Sequence, residues 1–187
     1  MAAGKLVVIS APSGAGKTSI AREILRRIPS LRFSVSATTR AKREGEIEGY
    51  DYYFMTREQF LQGVNDGLFV EWEELFGNMY GTLKQEVEKA RRSGDHLLFD
   101  VDVKGALSIK MEYPSALLIF IMPPSVEALK ERLARRKTED SEALRIRLER
   151  VPMEMEQRSA FDRLITNDTL ENAITEVEHI VVDHLNN

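Results

Sequence analysis

Apolar and polar residues fall along this chain in blocks whose period changes at definite points. Leu6-Val7-Val8-Ile9 is an unbroken apolar run ending in turn residues, which predicts a short buried strand over 5–10. Ala11-Pro12-Ser13-Gly14-Ala15-Gly16 follows as a small, turn-rich loop. Ile20, Ala21, Ile24, Leu25 and Ile28 then recur at helical spacing and predict a helix over 18–28. Alternation over 32–36 predicts a strand, and the polar, basic stretch 37–49 a loop.

Residues 52–55 predict another strand. Thr56 with Gln59 is a capping box opening a helix over 56–66. Residues 69–75 alternate apolar and acidic, as a half-buried strand does. Thr82 with Gln85 reads as a second capping box, opening a helix to about 93 that Gly94 ends. An apolar strand ending in acids is expected over 96–101, then a helix over 103–111 with Val103, Ala106, Leu107 and Lys110 on one face. Residues 117–122 are wholly apolar and predict a buried strand. Pro123-Pro124-Ser125 breaks it and starts a helix to about 136. A charged helix is expected from about 141, interrupted or kinked near Pro152. A last short strand falls at 164–166. Asp168 and Glu171 resemble a third capping box, opening an amphipathic helix through Ile174, Val177, Ile180 and Val181.

Apolar strands alternating with helices predict an α/β fold: a parallel sheet core flanked by helices on both faces. The region 33–92 breaks that rhythm, since its strands alternate in polarity and its turns suit antiparallel pairing. It reads as an inserted mixed α/β substrate module. The stretch 136–157 begins too charged to be core and reads as a small helical lid. One domain over 1–187 is expected, with its core in 1–32, 93–135 and 158–187.

Composition narrows the function classes. At 187 residues a single domain buries enough apolar surface to need no disulfide or metal for its core. Cysteine is absent, which excludes thiol chemistry and Cys-ligated zinc and suits a reducing compartment. The longest apolar stretch, 116–122, is far short of the roughly 18 residues a membrane helix needs. The first residues do not read as a signal peptide, so Asn167-Asp168-Thr169 is taken as a chance match to the glycosylation pattern. A cytoplasmic location and no membrane partner are expected. The net charge of −4 argues against nucleic acid as a partner. That total hides segregation: residues 1–50 carry 9 basic and 4 acidic side chains, and residues 51–100 carry 5 and 10. A mixed, solvated surface is the simplest account of that pattern.

The strongest motif is Ala11-Pro12-Ser13-Gly14-Ala15-Gly16-Lys17-Thr18, placed between a strand and a helix as a P-loop requires. Small residues let backbone N–H groups turn inward around phosphate oxygens, and the helix that starts there adds its unpaired N–H groups and dipole. Lys17 supplies positive charge to the β and γ phosphates, and Thr18 a hydroxyl ligand for Mg²⁺. Ala11 stands where the strict pattern has Gly.

Further along, Arg40, Lys42 and Arg43 place three cations within four residues, preceded by Ser34 and Ser36. Arginine suits bidentate phosphate contacts, although a solvated basic loop has the same composition. Tyr50, Tyr52 and Tyr53 follow. Phenolic hydroxyls beside arginines suit an anion pocket, and the same spacing equally suits a half-buried strand. Glu71, Glu73 and Glu74 surround the only tryptophan, Trp72. One that faces inward needs a donor, and guanine presents N1–H and an N2 amino group on one edge, where adenine has a bare N1. Asp100 and Asp102 end a strand and are placed to hold Mg²⁺ or its waters, or are simple strand-end polarity. The arginine-rich stretch 132–150 is mostly a solvated face with room for one or two clamps on a transferring phosphate.

Taken together the pattern resembles the nucleoside monophosphate kinases, and specifically the guanylate kinase family, over nearly the whole chain. The stretches that carry the resemblance are SAPSGAGKTS (10–19), FSVSATTRAKR (33–43), EGEIEGYDYYF (44–54), 71–82, FDVDVKG (99–105), 123–136 and LITND (164–168). The resemblance implies ATP + GMP → ADP + GDP with Mg²⁺, with dGMP also an acceptor, in purine nucleotide metabolism. It implies that residues 11–19 (Ala11, Pro12, Ser13, Gly14, Ala15, Gly16, Lys17, Thr18 and Ser19) bind the ATP phosphates and that Asn167 lies near the ATP base. Ser36, Glu71, Thr82 and Asp102 match positions around the guanine. Arg40, Arg43, Tyr52 and Tyr80 match those holding the GMP phosphate. Arg136 and Arg147 match lid arginines. Lys17, Arg43, Arg136 and Arg147 would then be catalytic, with Thr18 and Asp100 toward the metal. Lys42, Lys104, Lys137 and Pro152 depart from the usual family pattern. Two other readings stay open: a noncatalytic guanylate-kinase-like interaction module, and a kinase for a different nucleoside monophosphate.

Overall fold

The computed structural model describes residues 3–75, 77–125, 127–129 and 141–187, and within the last span the side chains of 141–144, 146 and 147 fall outside it. Its main sheet is built from β1 (Leu6–Ser10), β2 (Leu31–Phe33), β7 (His96–Asp100), β8 (Leu117–Met122) and β9 (Arg163–Thr166). The order is β2-β7-β1-β8-β9, with every neighbouring pair parallel. β1 lies between β7 and β8, so the chain leaves its C-terminal end where strand order diverges, the usual crevice of open parallel sheets.

The apolar run of β1 is needed because both of its faces are buried. Val7 and Ile9 join a cluster with Ile20, Ala21 and Ile24 of helix α1 (Lys17–Arg27) and Ala173, Ile174, Val177 and Val181 of α6 (Leu170–Asn186). Leu6 and Val8 point the other way, into Val87 and Ala90 of α3 (Lys84–Ser93) and Val103, Ala106 and Ile109 of α4 (Val103–Glu112). The buried stripe of α4 therefore adds Gly105 and Ile109 to Val103 and Ala106, with Leu107 partly buried against it and Lys110 off it. Lys110 is instead turned to Asp162, 2.9 Å away, which its ammonium can reach only from the edge of the helix.

The region 33–92 carries a second sheet, in the order β4-β3-β6-β5. Its strands are β3 (Ala37–Thr38), β4 (Tyr53–Phe54), β5 (Phe69–Leu75) and β6 (Asn78–Leu83). β6 pairs antiparallel with both β3 and β5, whereas β3 and β4 run parallel. Phe60 of α2 (Arg57–Asn65), Phe69, Met79 and Ala37 form a separate small core, with Phe60 and Phe69 stacked at 4.3 Å between centroids.

Several expectations are corrected here. β2 stops at Phe33, and Ala37 and Thr38 belong to a strand because both are buried against β6 rather than in a loop. β6 has no clear apolar pattern, since Gly81 interrupts it. A Cβ on Gly81 would come within 3.0 Å of Phe69, the Glu71 carbonyl oxygen and Trp72, so close strand packing requires glycine there. The capping box at Thr56 is present in full, but the one at Thr82 is not. Thr82 lies in β6 and its hydroxyl goes to Glu71, while Leu83 caps α3 without a side-chain bond. Thr169, not Asp168, precedes α6; the Asp168 carboxylate accepts the Thr169 N–H instead.

Helix α5 (Ser141–Glu156) runs through Pro152 without interruption. An internal proline costs about 3 kcal/mol. Val151 is buried in the main core and Leu148 and Met155 pack against it, so apolar anchors on both sides hold the helix together. Burying one such side chain contributes about 1.5–3 kcal/mol, enough to offset the proline. Residues 127–129 are helical, and the rest of the helix expected to about 136 lies outside the described residues. No helix among the described residues is long and apolar enough to cross a membrane.

Candidate active site

The loop after β1 is shaped by two left-handed glycines, Gly14 at φ 88° and Gly16 at φ 99°. Gly16 begins α1, and a Cβ on it would sit 2.4 Å from the Asn167 amide nitrogen, so both conformation and space demand glycine. Asn167 is buried, and its Nδ2 donates to the Ala15 carbonyl at 2.7 Å. It thus fastens the loop from the end of β9. Ala11 is buried in the main core, so the methyl that departs from the strict motif fills apolar space.

Lys17 and Thr18 converge on one carboxylate. Lys17 Nζ lies 2.7 Å from Asp100 Oδ1 and donates to the Val101 carbonyl at 2.9 Å, and Thr18 Oγ1 donates to Asp100 Oδ2 at 2.9 Å. Asp100 ends β7, the neighbour of β1, so parallel pairing alone brings these three groups together.

On the second sheet, Glu71 and Glu73 share one strand face, opposite Trp72 and Glu74. Glu74 is exposed and pairs with Arg57. Glu71 turns inward. The register shifts between Phe69 and Glu71, and Glu71 is paired with Thr82, whose hydroxyl donates to Oε1 at 2.6 Å. Its other oxygen packs against Gly105, at 3.0 Å from where a Cβ would be. Burial pushes the Glu71 carboxyl above its ordinary pKa, partly offset by the Thr82 hydroxyl and the field of Lys17. That field joins the second sheet to the phosphate loop electrostatically.

Asp102 caps α4, its Oδ1 accepting the Gly105 N–H at 2.8 Å, and its Oδ2 accepts from Arg150 at 3.1 Å. Ser36 is half-buried just before β3. Arg40 is gripped by Glu46, at 2.6 and 3.1 Å, and its guanidinium carbon lies 5.2 Å from the centre of the Tyr52 ring. Tyr52 in turn meets Tyr80 edge to face at 6.1 Å. Arg43 and Lys42 are exposed, and the Arg43 backbone N–H donates to Glu46. Tyr50 is exposed and stands apart from this group. Arg136 and Lys137 lie outside the described residues, as does the side chain of Arg147. Lys104 is exposed on α4.

A guanylate kinase family model matches residues 3–184. The chain belongs to the guanylate kinase family. A guanylate kinase of Chlorobium luteolum is 53% identical over 93% of this chain and 89% of its own length. One from Chlorobium chlorochromatii is 51% identical over 97% and 96%. The crystal structure of guanylate kinase from Anaplasma phagocytophilum superposes with a TM-score of 0.76 at 32% identity, covering 99% of this chain and 88% of that one. The chain is thus an enzyme of a kinase family that transfers phosphoryl groups from ATP, built on the α/β fold expected from its sequence.

Within this guanylate kinase fold the structure also gathers one residue that the sequence pattern did not single out, Glu154, with two that it named only within groups, Glu73 among the acids around Trp72 and Arg150 in the stretch 132–150. Glu73, Asp102 and Glu154 surround Arg150, and Glu71 acts on Glu73 from the same strand face. Glu154 lies four residues beyond Arg150 on α5, which is the sequence signal that could have drawn attention to it. Glu154 is buried, and the Ser13 backbone N–H of the phosphate loop faces its carboxyl and favours the charged form against the cost of burial.

Whether the site suits Mg²⁺ can be judged from the donors. Thr18 and Asp100 offer hard oxygen donors of the kind Mg²⁺ takes, and Asp100 already accepts a cation, the Lys17 ammonium. Among the described residues no group of three acids or histidines is arranged to cage a metal. A pair of oxygens of this kind fits an ion whose other ligands are phosphate oxygens and water.

The Glu73 carboxyl is pushed up to about 7 by burial first and by the neighbouring Asp102 second. The folded state therefore holds a proton that the unfolded chain releases near pH 4.5. The contribution is fully present below the unfolded value and is lost as pH rises through about 7. Thermal melts from pH 5 to 8 are expected to show Tm falling more steeply for the native chain than for Glu73→Gln. Parallel slopes would remove Glu73 from this role.

Proposed function

We propose that this chain transfers the terminal phosphoryl group of ATP to GMP, giving ADP and GDP, and accepts dGMP through the same base edge. The observation that carries the reading is the half-buried, inward-turned Glu71, held by Thr82 within the field of Lys17. A carboxylate so placed matches the N1–H and N2 amino donors of guanine and repels the bare N1 of adenine.

In this reading the loop 11–18 cradles the ATP phosphates through its backbone N–H groups, and Lys17 leaves Asp100 for the β and γ oxygens. Thr18 and Asp100 would hold Mg²⁺, which when bound neutralises charge between the phosphates. A phosphate oxygen of GMP attacks the γ phosphorus while the bond to the ADP oxygen breaks, so no side chain need become a covalent nucleophile. Arg40, Arg43, Tyr52 and Tyr80 orient the GMP phosphate. Glu46 holds Arg40 in place beforehand, which reduces the ordering cost on binding. Arg136 and Arg147 of the lid add charge neutralisation as the phosphoryl group moves. Asn167 supports the phosphate loop through Ala15. We assign the second sheet to the acceptor-binding insert, residues 136–157 to the lid, and the cytoplasm as the location.

The test is ADP and nucleoside diphosphate formation from ATP, with Mg²⁺ and equal concentrations of GMP, AMP, UMP and CMP. GDP is expected to dominate by about 10²-fold or more, the margin a hydrogen-bonding pocket imposes on a mismatched edge. Turnover of another acceptor at a similar rate would refute the assignment of Glu71, and binding of GMP without turnover would favour the interaction-module reading.

A further inference from the structure

One side chain ties together the two halves of the site. Arg150 Nη2 lies 3.1 Å from Asp102 Oδ2 and 3.8 Å from Glu73 Oε2, and its Nε lies 3.5 Å from Glu154 Oε1. Glu73 belongs to β5 of the second sheet, Asp102 to the N-terminus of α4 and Glu154 to α5. Glu154 continues the connection to the phosphate loop, because the Ser13 N–H faces its carboxyl. Its Oε2 is buried and has no hydrogen-bond partner among the described residues. A buried carboxyl with spare acceptor capacity is a costly arrangement that a rearranging cation can relieve.

We propose that Arg150 and Glu154 are positioning residues that couple occupancy of the acceptor base pocket to the phosphate loop. This rests on the reading of Glu71 and Asp102 as the guanine-facing acids. Arg150 hydrogen-bonds Asp102 and lies within ion-pair reach of Glu154 and Glu73, so one guanidinium serves three acidic side chains. A base whose N–H donors engage the acidic face takes acceptor capacity from Asp102 and loosens its hold on Arg150. The guanidinium then shifts its bonds toward Glu154, which has an oxygen to spare. Glu154 sets the position of Ser13 in the loop that must close on the donor phosphates. Acceptor binding thereby prepares the donor site, and by linkage the donor tightens the acceptor equally.

Both ends of this path are fixed by packing. Val151 and Leu148 anchor α5 to the main core, so the Arg150 and Glu154 side chains move while the helix stays in place. Asn167 holds Ala15 from the opposite side, leaving the Ser13 end of the loop as the part that Glu154 can adjust.

The experiment measures binding of β,γ-imido ATP by calorimetry, with and without saturating GMP, in the native chain, Arg150→Lys and Glu154→Gln. Both substitutions keep side-chain size near native, so folding is preserved where Arg150→Ala would strand buried carboxylates. GMP is expected to tighten the analogue by about fivefold or more in the native chain. That factor should fall below about twofold in both variants, a change that a purely structural role would not produce. Full coupling in either variant overturns the proposal, as does a native chain with no coupling. A variant that loses one nucleotide outright and binds the other normally also overturns it, since the residue would then belong to one pocket. GDP formation by the native chain is assayed alongside. Its absence removes the function on which the inference rests, whereas GDP formation with unchanged coupling in the variants removes the inference alone.

Discussion

Lys17→Ala is expected to lower kcat by about 10²–10³-fold, the cost of removing one preorganised charge from a transferring group. Lys17 is well placed to show this effect cleanly. Its ammonium sits on Asp100 at 2.7 Å and on the Val101 carbonyl, both at the C-terminal edge of the main sheet, so its position does not depend on the lid. Its removal leaves the loop conformation to Gly14, Gly16 and the Asn167 bond to Ala15. The variant should therefore fold normally and bind GMP, with its loss confined to steps that involve the ATP phosphates. Steady-state release of ADP measures kcat, and a thermal melt reports the fold. Turnover within about threefold of native, well outside the expected range, would take Lys17 out of the mechanism.

Glu71→Ala is expected to reduce kcat/KM for GMP by about 10³-fold while leaving the affinity for the ATP analogue nearly unchanged. The magnitude follows from burial. Glu71 is half-buried and held by Thr82, whose hydroxyl donates to Oε1 at 2.6 Å, and its second oxygen is the one left to meet a ligand donor. Without that carboxylate, guanine would bury N1–H and an N2 amino group against a void, and unpaired buried donors are costly. Glu71→Gln should lose less and should narrow the gap between GMP and AMP, because an amide offers adenine N1 a donor. A comparison of kcat/KM for the two acceptors across both variants measures this. A uniform loss for GMP and AMP would show that Glu71 supports the fold and does not read the base.

Much of the fold was legible along the chain because its strongest signals are local. The run Leu6-Val7-Val8-Ile9, the turn of small residues after it and the periodic helix that follows each report a backbone requirement at the place where they occur. β5 was legible over its full length because apolar and acidic residues alternate along most of it. β6 was not, because Gly81 serves the close approach of Phe69 and Trp72 from another strand. The Thr82 box misled for a related reason. A hydroxyl can bond either its own backbone or a distant carboxylate, and only the register of β5 on β6 brings Glu71 within reach. Pro152 suggested an interruption that the helix does not have, because the local cost of proline is visible in sequence, whereas the packing of Val151 that offsets it is not.

The same division runs through the active site. The sequence by itself determined the phosphate loop, the order of strands and helices around it and the family, since a contiguous motif needs only neighbouring residues to form. The tertiary structure alone decided that Glu71 faces inward while Glu74 faces solvent, that Asn167 braces the phosphate loop, and that Arg150 stands among Glu73, Asp102 and Glu154. Those contacts join residues far apart in the chain. Their meeting depends on strand register and helix packing, which no local periodicity encodes.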